Sequence, residues 1–469
     1  VRPHFAYVFE RFPSFTQTFC AREVLELERQ GVRPMLFSLR DTRLEHPRHF
    51  PDDLFQRVHF LPPEKELIDW VKHEKKADRL PQQIVLSLRH WGERPDKMRV
   101  YEAAYIGRQL AAAGVRHVHS HFAGLGARVG WWLREAWDCS YSFTGHANDI
   151  LCADPGLDLT LDRLMADASV VITVSDFSRG DLARRFPGAA DKIHRVYNGL
   201  DCARFASAAR PPDEAAADQP PLILSVGRLI EKKGFPDLIE ACGLLKARGA
   251  PFRCEIAGDG PLENYLRALI AARRLTDEVR LLGATPQETI INRLGHTRLF
   301  ALACATERDG GMDNLPTVLM EAMAAGVPCV STRLAGVPEM VEPGVTGQLV
   351  DEHDVPALAD ALEALLRDPA RARALGNAGR ARARRLFAQE VTAPQLLHHL
   401  TARGMVRFDP ALARRHPPLW SAYARQAVWR LARLTRCRRF RHRRPPAFLM
   451  EASAQPSRAD SPLETRTPR

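Results

Sequence analysis

The chain of 469 residues contains no run of about 18 apolar residues, so no membrane-spanning helix is expected from it. Its nine cysteines are scattered singly and include no C-x-x-C pair. That spacing excludes a zinc ribbon and a disulfide framework, and the cysteines read as reduced, cytosolic thiols. No charged n-region, long apolar stretch or small-residue cleavage site accompanies the strand-like "HFAYVF" near the start, which sets the expectation of a cytoplasmic protein. Most of the chain also lacks any excess of positive charge. The net charge is +11, yet residues 411–469 alone hold 14 arginines against three acids, and the rest balances. The basicity belongs to a tail, so nucleic acid is not the expected partner of the fold.

What is present is the composition of a globular protein, 45% apolar and 26% charged, with length enough for two or three domains. Short β-branched runs alternate with helix-length periodic segments, which predicts α/β domains built on parallel sheets. Strands are expected at 4–9, 34–39, 117–120, 141–144, 169–174 and 192–197, and again at 222–227, 253–258, 278–283, 298–303 and 328–332. Between the two sets lies "ASAARPPDEAAADQPP" (206–221), which has no large apolar residue and reads as a linker. The expected order is a doubly wound domain over 1–205 with a charged helical insertion near 62–97, the linker, a second doubly wound domain over 222–395, and a basic tail over 396–469. Sheets of this kind bind ligands beyond the carboxyl ends of their strands, so two facing domains imply a cleft.

In the second domain, "RDGGMDNLPTVLMEAMAAGVP" (308–328) runs from a flexible loop into a helix expected to start near 315, with Asn314 as its cap. Free amides at such a helix start, Asn314 and Leu315 among them, suit a phosphate. Asp313 falls in the loop. Glu321 falls two turns in among Val318, Leu319, Met320, Ala322 and Met323, where a buried carboxylate needs a partner, and ribose hydroxyls would serve. In "SVGRLIEKKGFPDLIEA" (225–241), Gly227 permits a tight turn, and Arg228 and Lys233 can reach one anionic group, a sensible pair for a diphosphate. "IAGDGP" (256–261) is another glycine turn between strand and helix.

In the first domain, "YSFTGHANDI" (141–150) places His146 at the carboxyl end of the sheet. In "RHVHSHFAGLGA" (116–127), His117, His119 and His121 share one face of a strand. A metal cluster is one reading of that face, but no acidic or cysteine ligand pattern accompanies it, and no metal is expected. "VITVSDFSRGDL" (171–182) has Ser175 placed to cap a helix.

Taken together these stretches resemble glycosyltransferase family 4, the retaining nucleotide-sugar enzymes of the GT-B fold, over roughly residues 4–395. The likeness is greatest to the bacterial branch that builds colanic acid, other exopolysaccharides or lipopolysaccharide. The resemblance implies a hexosyltransferase acting on a nucleotide diphosphate sugar and a saccharide or lipid-linked acceptor, with no cofactor and no metal. It implies that Gly227, Arg228, Lys233, Asn314 and Leu315 hold the donor diphosphate, and that Gly258, Asp259 and Glu321 hold the nucleotide, with Glu321 on the ribose. Asp313 and His146 would face the donor sugar and the reacting centre. Thr16, Gln17 and His121 would line the acceptor side. The family's E-x(7)-E signature ends at Glu321 but begins here with Asp313; Asn314 stands where glycine is usual, and Thr16 and Gln17 where serine and glutamate are usual.

The tail stretch 417–444 puts Trp420, Tyr423, Ala427, Leu431 and Leu434 on one helical face, with Arg425, Arg433 and Arg436 on the other. Such a helix suits an anionic membrane surface, here the inner face of the inner membrane. The alternative functions are a sugar-nucleotide epimerase or phosphorylase on the same fold, or a non-catalytic membrane-surface partner protein.

Overall fold

Runs such as "LILSV" and "LFAL" are apolar at nearly every position, which is what a parallel strand needs when helices cover both of its faces. In the computed structural model, β1 (Ala6–Arg11), β2 (Met35–Arg40), β3 (Val58–Phe60), β4 (His117–His121), β5 (Ser140–Gly145), β6 (Val170–Thr173) and β7 (Ile193–Arg195) pair in the order β3-β2-β1-β4-β5-β6-β7. A second sheet comprises β8 (Leu222–Val226), β9 (Arg253–Ala257), β10 (Val279–Gly283), β11 (Leu299–Leu302), β12 (Cys329–Thr332) and β13 (Gly347–Val350), ordered β10-β9-β8-β11-β12-β13. The structure describes residues 5–14, 17–45, 50, 52–90, 96–152, 158–207 and 219–406. Thr16, most of the expected linker and the whole stretch 417–444 lie outside the described residues.

Each named strand pairing is parallel. Strand order reverses between β1 and β4 in one sheet and between β8 and β11 in the other, and a crevice opens past the strand ends at each reversal. The loop after β8 carries Gly227 to Lys233, and the loop after β11 carries Asp313. His121 closes β4, and His146 follows β5. The fold thus delivers the candidate residues to the two switch points.

Two strands escape the sequence pattern, β3 and β13, and both are sheet edges. With three and four residues they are too short to alternate visibly, and each is held by pairing with one neighbour. The insertion is helical as expected, with helices Glu64–Lys76 and Gln82–His90 packed on helix Lys97–Ala113.

The expected boundary at 395 is corrected by helix Gln389–Ala402, which runs straight through it. This helix returns to the first domain and packs on helix Thr18–Arg29 and β6. Leu200 N–H donates to the Phe387 carbonyl at 2.7 Å and Gln389 N–H to the Leu200 carbonyl at 2.9 Å, which fixes the return. The helix's apolar face, Leu396, Leu397 and Leu400, is buried. Among the described residues no helix is long and apolar enough to cross a membrane.

Leu397 is 2% exposed at this return. Leu397→Ala is expected to lower stability by about 2–4 kcal/mol through lost transfer energy and a residual cavity. Denaturant unfolding measures it; a cost near zero would mean that the helix does not dock in solution.

Candidate active site

The donor half is built around two glycine turns that touch through their backbones. At Gly258, φ is +145° and an added Cβ would lie 1.9 Å from the Gly227 carbonyl oxygen, so no larger residue fits. Leu229 N–H donates to the Asp259 carbonyl at 2.7 Å and locks the turns together. Gly234, at φ +61°, backs onto the Ala303 carbonyl, where a Cβ would come within 1.6 Å. This aligns the loop after β8 with the loop after β11, and Lys233 is bonded to Asp313 as a result. Lys232 adds a second, longer approach to Asp313, at 3.7 Å. Burial works against the Lys233 charge, but Asp313 outweighs it and raises the pKa, so the ammonium is secure. Arg228 and Asp259 are exposed at the rim, while Leu315 is buried in the core.

The helix after this loop is Thr317–Ala325, starting two residues later than expected, with Pro316 at the cap position. Asn314 is therefore not its cap. The Asn314 side chain donates to the His146 carbonyl at 2.6 Å and accepts from the Ser175 hydroxyl at 2.6 Å, both in the first domain. Its side chain is committed to joining the domains, and its carbonyl accepts from Gly336 N–H at 2.9 Å.

Glu321 lies within that helix, 8% exposed. Burial pushes its carboxyl up to about 6, against the pull of Arg22 and Arg204 and a hydrogen bond from Gln287. Arg22 comes from helix Thr18–Arg29 in the first domain, where its Nε donates to the Gly199 carbonyl at 3.0 Å. Gln287 in turn accepts from Arg204 at 3.0 Å. A buried carboxylate whose pKa is raised by desolvation beside specific charge partners is a functional-site candidate.

In the first domain, β4 and β5 are in register, His117 opposite Ser140, His119 opposite Ser142 and His121 opposite Thr144. The three histidines on one face of β4 consequently meet hydroxyls: His117 reaches Ser140 and Ser142, and His119 reaches Ser142 at 2.7 Å and Thr144 at 3.0 Å. His121 bonds His146 at 3.0 Å and Glu23 at 3.0 Å. Glu23, His119 and His121 place possible ligand atoms within 4.8 Å of one another. Glu23 is thus an acidic neighbour that the sequence pattern did not show, and each ring nitrogen of His119 and His121 also has a hydrogen-bond partner. Gln17 sits at the start of helix Thr18–Arg29, partly buried, without capping it.

Sequence reasoning missed three contributors. Asp149 is partly buried and accepts main-chain N–H bonds from Ala123, His146 and Ala147, shaping the turn that presents His146. Its place three residues after His146 in "GHAND" was the available signal. Glu339 crosses from the second domain to cap helix Asp176–Arg185, accepting from Asp176 and Phe177 N–H at 2.8 Å each, an alignment that also suits the helix dipole. Glu23, eight positions before Gly31 on an amphipathic helix, carries no sign in sequence of its contact with His121. Ser175 does cap its helix as expected, while also holding Asn314.

Two doubly wound domains whose switch-point loops are bonded to one another, with a lysine–acid pair and a buried glutamate on one side and a histidine on the other, have the GT-B architecture. The family model for Glycosyltransferase Family 4 matches residues 16–204, and that for Glycosyl transferases group 1 matches residues 208–382. The chain belongs to this glycosyltransferase family.

It is 40% identical over 203 residues to WcaL of Escherichia coli (strain K12), named for colanic acid biosynthesis, covering 43% of this chain and 48% of that one. It is 41% identical to the amylovoran biosynthesis glycosyltransferase AmsK of Erwinia amylovora, covering 44% and 50%. A GDP-mannose-dependent phosphatidylinositol monomannoside mannosyltransferase of Mycolicibacterium smegmatis is 34% identical over 47% of this chain and 59% of its own. The chain spans about half the length of the curated relatives it matches. Among solved structures, a glycosyltransferase from Rickettsia africae superposes with TM-score 0.65 at 16% identity, covering 85% of this chain and 98% of that one. Anabaena Alr3699/HepE in complex with UDP gives TM-score 0.65 at 16% identity, over 85% and 99%. These two likenesses show the fold.

Because the Glu321 pKa is raised from 4.5 to about 6 on folding, the ionised group opposes the fold. Its contribution is intact below pH 4.5 and is lost as pH rises through about 6, a swing of about 2 kcal/mol. Glu321→Gln is expected to stabilise the ligand-free protein by up to this amount at pH 8 and hardly at all at pH 4.5, measured by denaturant unfolding. Equal effects at the two pH values would refute the assignment.

Proposed function

We propose that the chain transfers a hexose from a nucleotide diphosphate sugar to a hydroxyl of a saccharide or lipid-linked acceptor in exopolysaccharide or lipopolysaccharide biosynthesis, with retention at the anomeric carbon. The observation that carries this reading is the Lys233–Asp313 pair at the switch point between β8 and β11, next in sequence to the Asn314 that bonds the His146 turn. Relatives named for colanic acid and amylovoran biosynthesis support the polymer class. A sugar-nucleotide epimerase, a phosphorylase and a non-catalytic partner are not favoured by these matches.

Departure of a nucleoside diphosphate builds negative charge on its outer phosphate, so the site's main task is to stabilise that charge. Lys233 and the amino end of helix Thr317–Ala325 supply preorganised positive potential there. In the ligand-free site Asp313 neutralises Lys233. An arriving diphosphate takes over the ammonium and releases Asp313 to accept hydrogen bonds from sugar hydroxyls. Glu321 accepts from the ribose hydroxyls, two donors that offset its desolvation. All of the balancing charge comes from protein groups, so this scheme calls for no metal. The front-face route, with attack on the side the leaving group vacates, suits a site that offers no evident covalent nucleophile. Arg-rich residues 417–444 would hold the enzyme to an anionic inner-membrane surface near a lipid-linked acceptor.

The M. smegmatis relative is named for GDP-mannose and the Anabaena structure holds UDP, so both bases belong in the test. One of UDP, GDP and ADP at millimolar concentration is expected to raise the thermal midpoint, since saturation at a hundred times Kd is worth about 2.7 kcal/mol. Lys233→Ala and Glu321→Ala should each blunt the rise. With the matching sugar nucleotide and an acceptor, the anomeric signal of the product should match that of the donor, and isomerised donor would point to the epimerase. No shift with any of the three diphosphates would sink the reading.

A further inference from the structure

A continuous chain of hydrogen bonds links four side chains of the first domain. Tyr7 of β1 donates its hydroxyl to Glu23 Oε1. The same carboxylate oxygen meets His121 Nε2 at 3.0 Å, and on the other side of that ring His121 Nδ1 meets His146 Nε2 at 3.0 Å. The four side chains come from β1, helix Thr18–Arg29, the end of β4 and the turn after β5. The two imidazoles lie at 27° to each other with centroids 5.3 Å apart, and Phe19 and Phe122 flank the His146 ring at 4.7 and 4.5 Å. His146 Nδ1 has no hydrogen-bond partner among the described residues.

Proton counting leaves two arrangements. A carboxylate only accepts, so His121 Nε2 carries a proton. Between the rings a single proton sits on one nitrogen or the other. If His121 holds it, His121 is an imidazolium and the neutral His146 keeps its proton on Nδ1. If His146 holds it, Nδ1 of His146 is bare and can only accept.

The surroundings favour the first arrangement. Burial works against charge on His121, but Cys20 and Glu23 beside it outweigh burial and raise its pKa. The Cys20 thiol is itself pushed up by burial, so the counter-charge that the geometry supplies is the Glu23 carboxylate, whose Oε1 meets both the Tyr7 hydroxyl and His121 Nε2. His146 is lowered by burial and by His121, and so stays neutral. The other groups facing the pair do not reverse this. Tyr7 is a neutral phenol, His119 is held neutral by burial and sits edge-on to His121, and Asp149 is bonded to the main-chain N–H groups of Ala123, His146 and Ala147. Arg22 on the same helix is bonded away to Gly199 and Thr18.

We propose that Glu23 and His121 are positioning residues that lock His146 with its proton on Nδ1, making the ring a fixed hydrogen-bond donor to an oxygen of the bound substrate. Only the identity of that oxygen, on the donor sugar or its diphosphate, rests on the transferase reading. The lock itself exists without ligand.

Histidine-selective 15N labelling of the full chain tests it, because long-range proton–nitrogen correlations separate the two neutral tautomers from the imidazolium. At pH 7.5 the wild type should show an Nδ1–H ring that disappears in His146→Gln and an imidazolium that disappears in His121→Gln. In Glu23→Gln the imidazolium should be lost at that pH, with the His146 ring moving toward the Nε2–H form. In turnover, Glu23→Gln should lower kcat about tenfold or more with little change in donor KM. Wild-type kcat should be flat from pH 6 to 8. In the variant, kcat should fall as pH rises, because His121 now loses its proton within that window. Glu23→Asp should recover part of the loss. An Nε2–H His146 in the wild type, or a histidine spectrum unchanged in Glu23→Gln, would overturn the proposal. The spectrum needs no nucleotide, so the tautomer lock and the transferase reading stand or fall separately.

Discussion

The structure depends on one side chain that belongs to both domains. Asn314 leaves the donor loop, reaches the His146 carbonyl and the Ser175 hydroxyl at 2.6 Å each, and so sets the distance between the two switch-point crevices. A buried amide with both ends satisfied is a stiff link, since losing either partner would leave an unpaired polar group. Glu339 repeats the link from farther along the second domain by capping helix Asp176–Arg185. Helix Gln389–Ala402 adds an apolar one. With these contacts in place, Asp313 and Lys233 are held next to the His146 turn.

The cleft keeps charge where a fold alone would not. Glu321 is buried with only distant guanidinium groups and one amide against it, and its pKa rises as a result. Lys233 and Asp313 neutralise each other at low exposure. Both arrangements are suited to exchange, since a ligand bearing phosphate and hydroxyl groups can replace partners that are either weak or shared. Local conflict of this kind, against an otherwise consistent sequence, is the pattern expected at a functional site.

The histidines show why part of the site was legible and part was not. Period-two spacing placed His117, His119 and His121 on one face, and the structure agrees. What that face meets was not readable, because the answer is Ser140, Ser142 and Thr144 on a strand more than twenty residues away, set by the β4–β5 register. His117 and His119 are therefore satisfied members of the sheet interior. Only His121, at the open end of the ladder, is left to join Glu23 and His146.

Local chemistry in the chain determined the alternation of strand and helix, the glycine turns at Gly227 and Gly258, and the oddity of Glu321 in an apolar helix. Each of these is a short-range matter of side-chain size, dihedral freedom or periodicity. The resemblance of the motifs to a known family supplied the roles expected of them. Tertiary structure alone decided the edge strands β3 and β13, the return of helix Gln389–Ala402, the diversion of Asn314 from helix cap to domain joint, and the Glu23–His121–His146 chain. These rest on contacts between residues tens to hundreds of positions apart, and no local pattern carries the distance between two such residues until the sheets have formed.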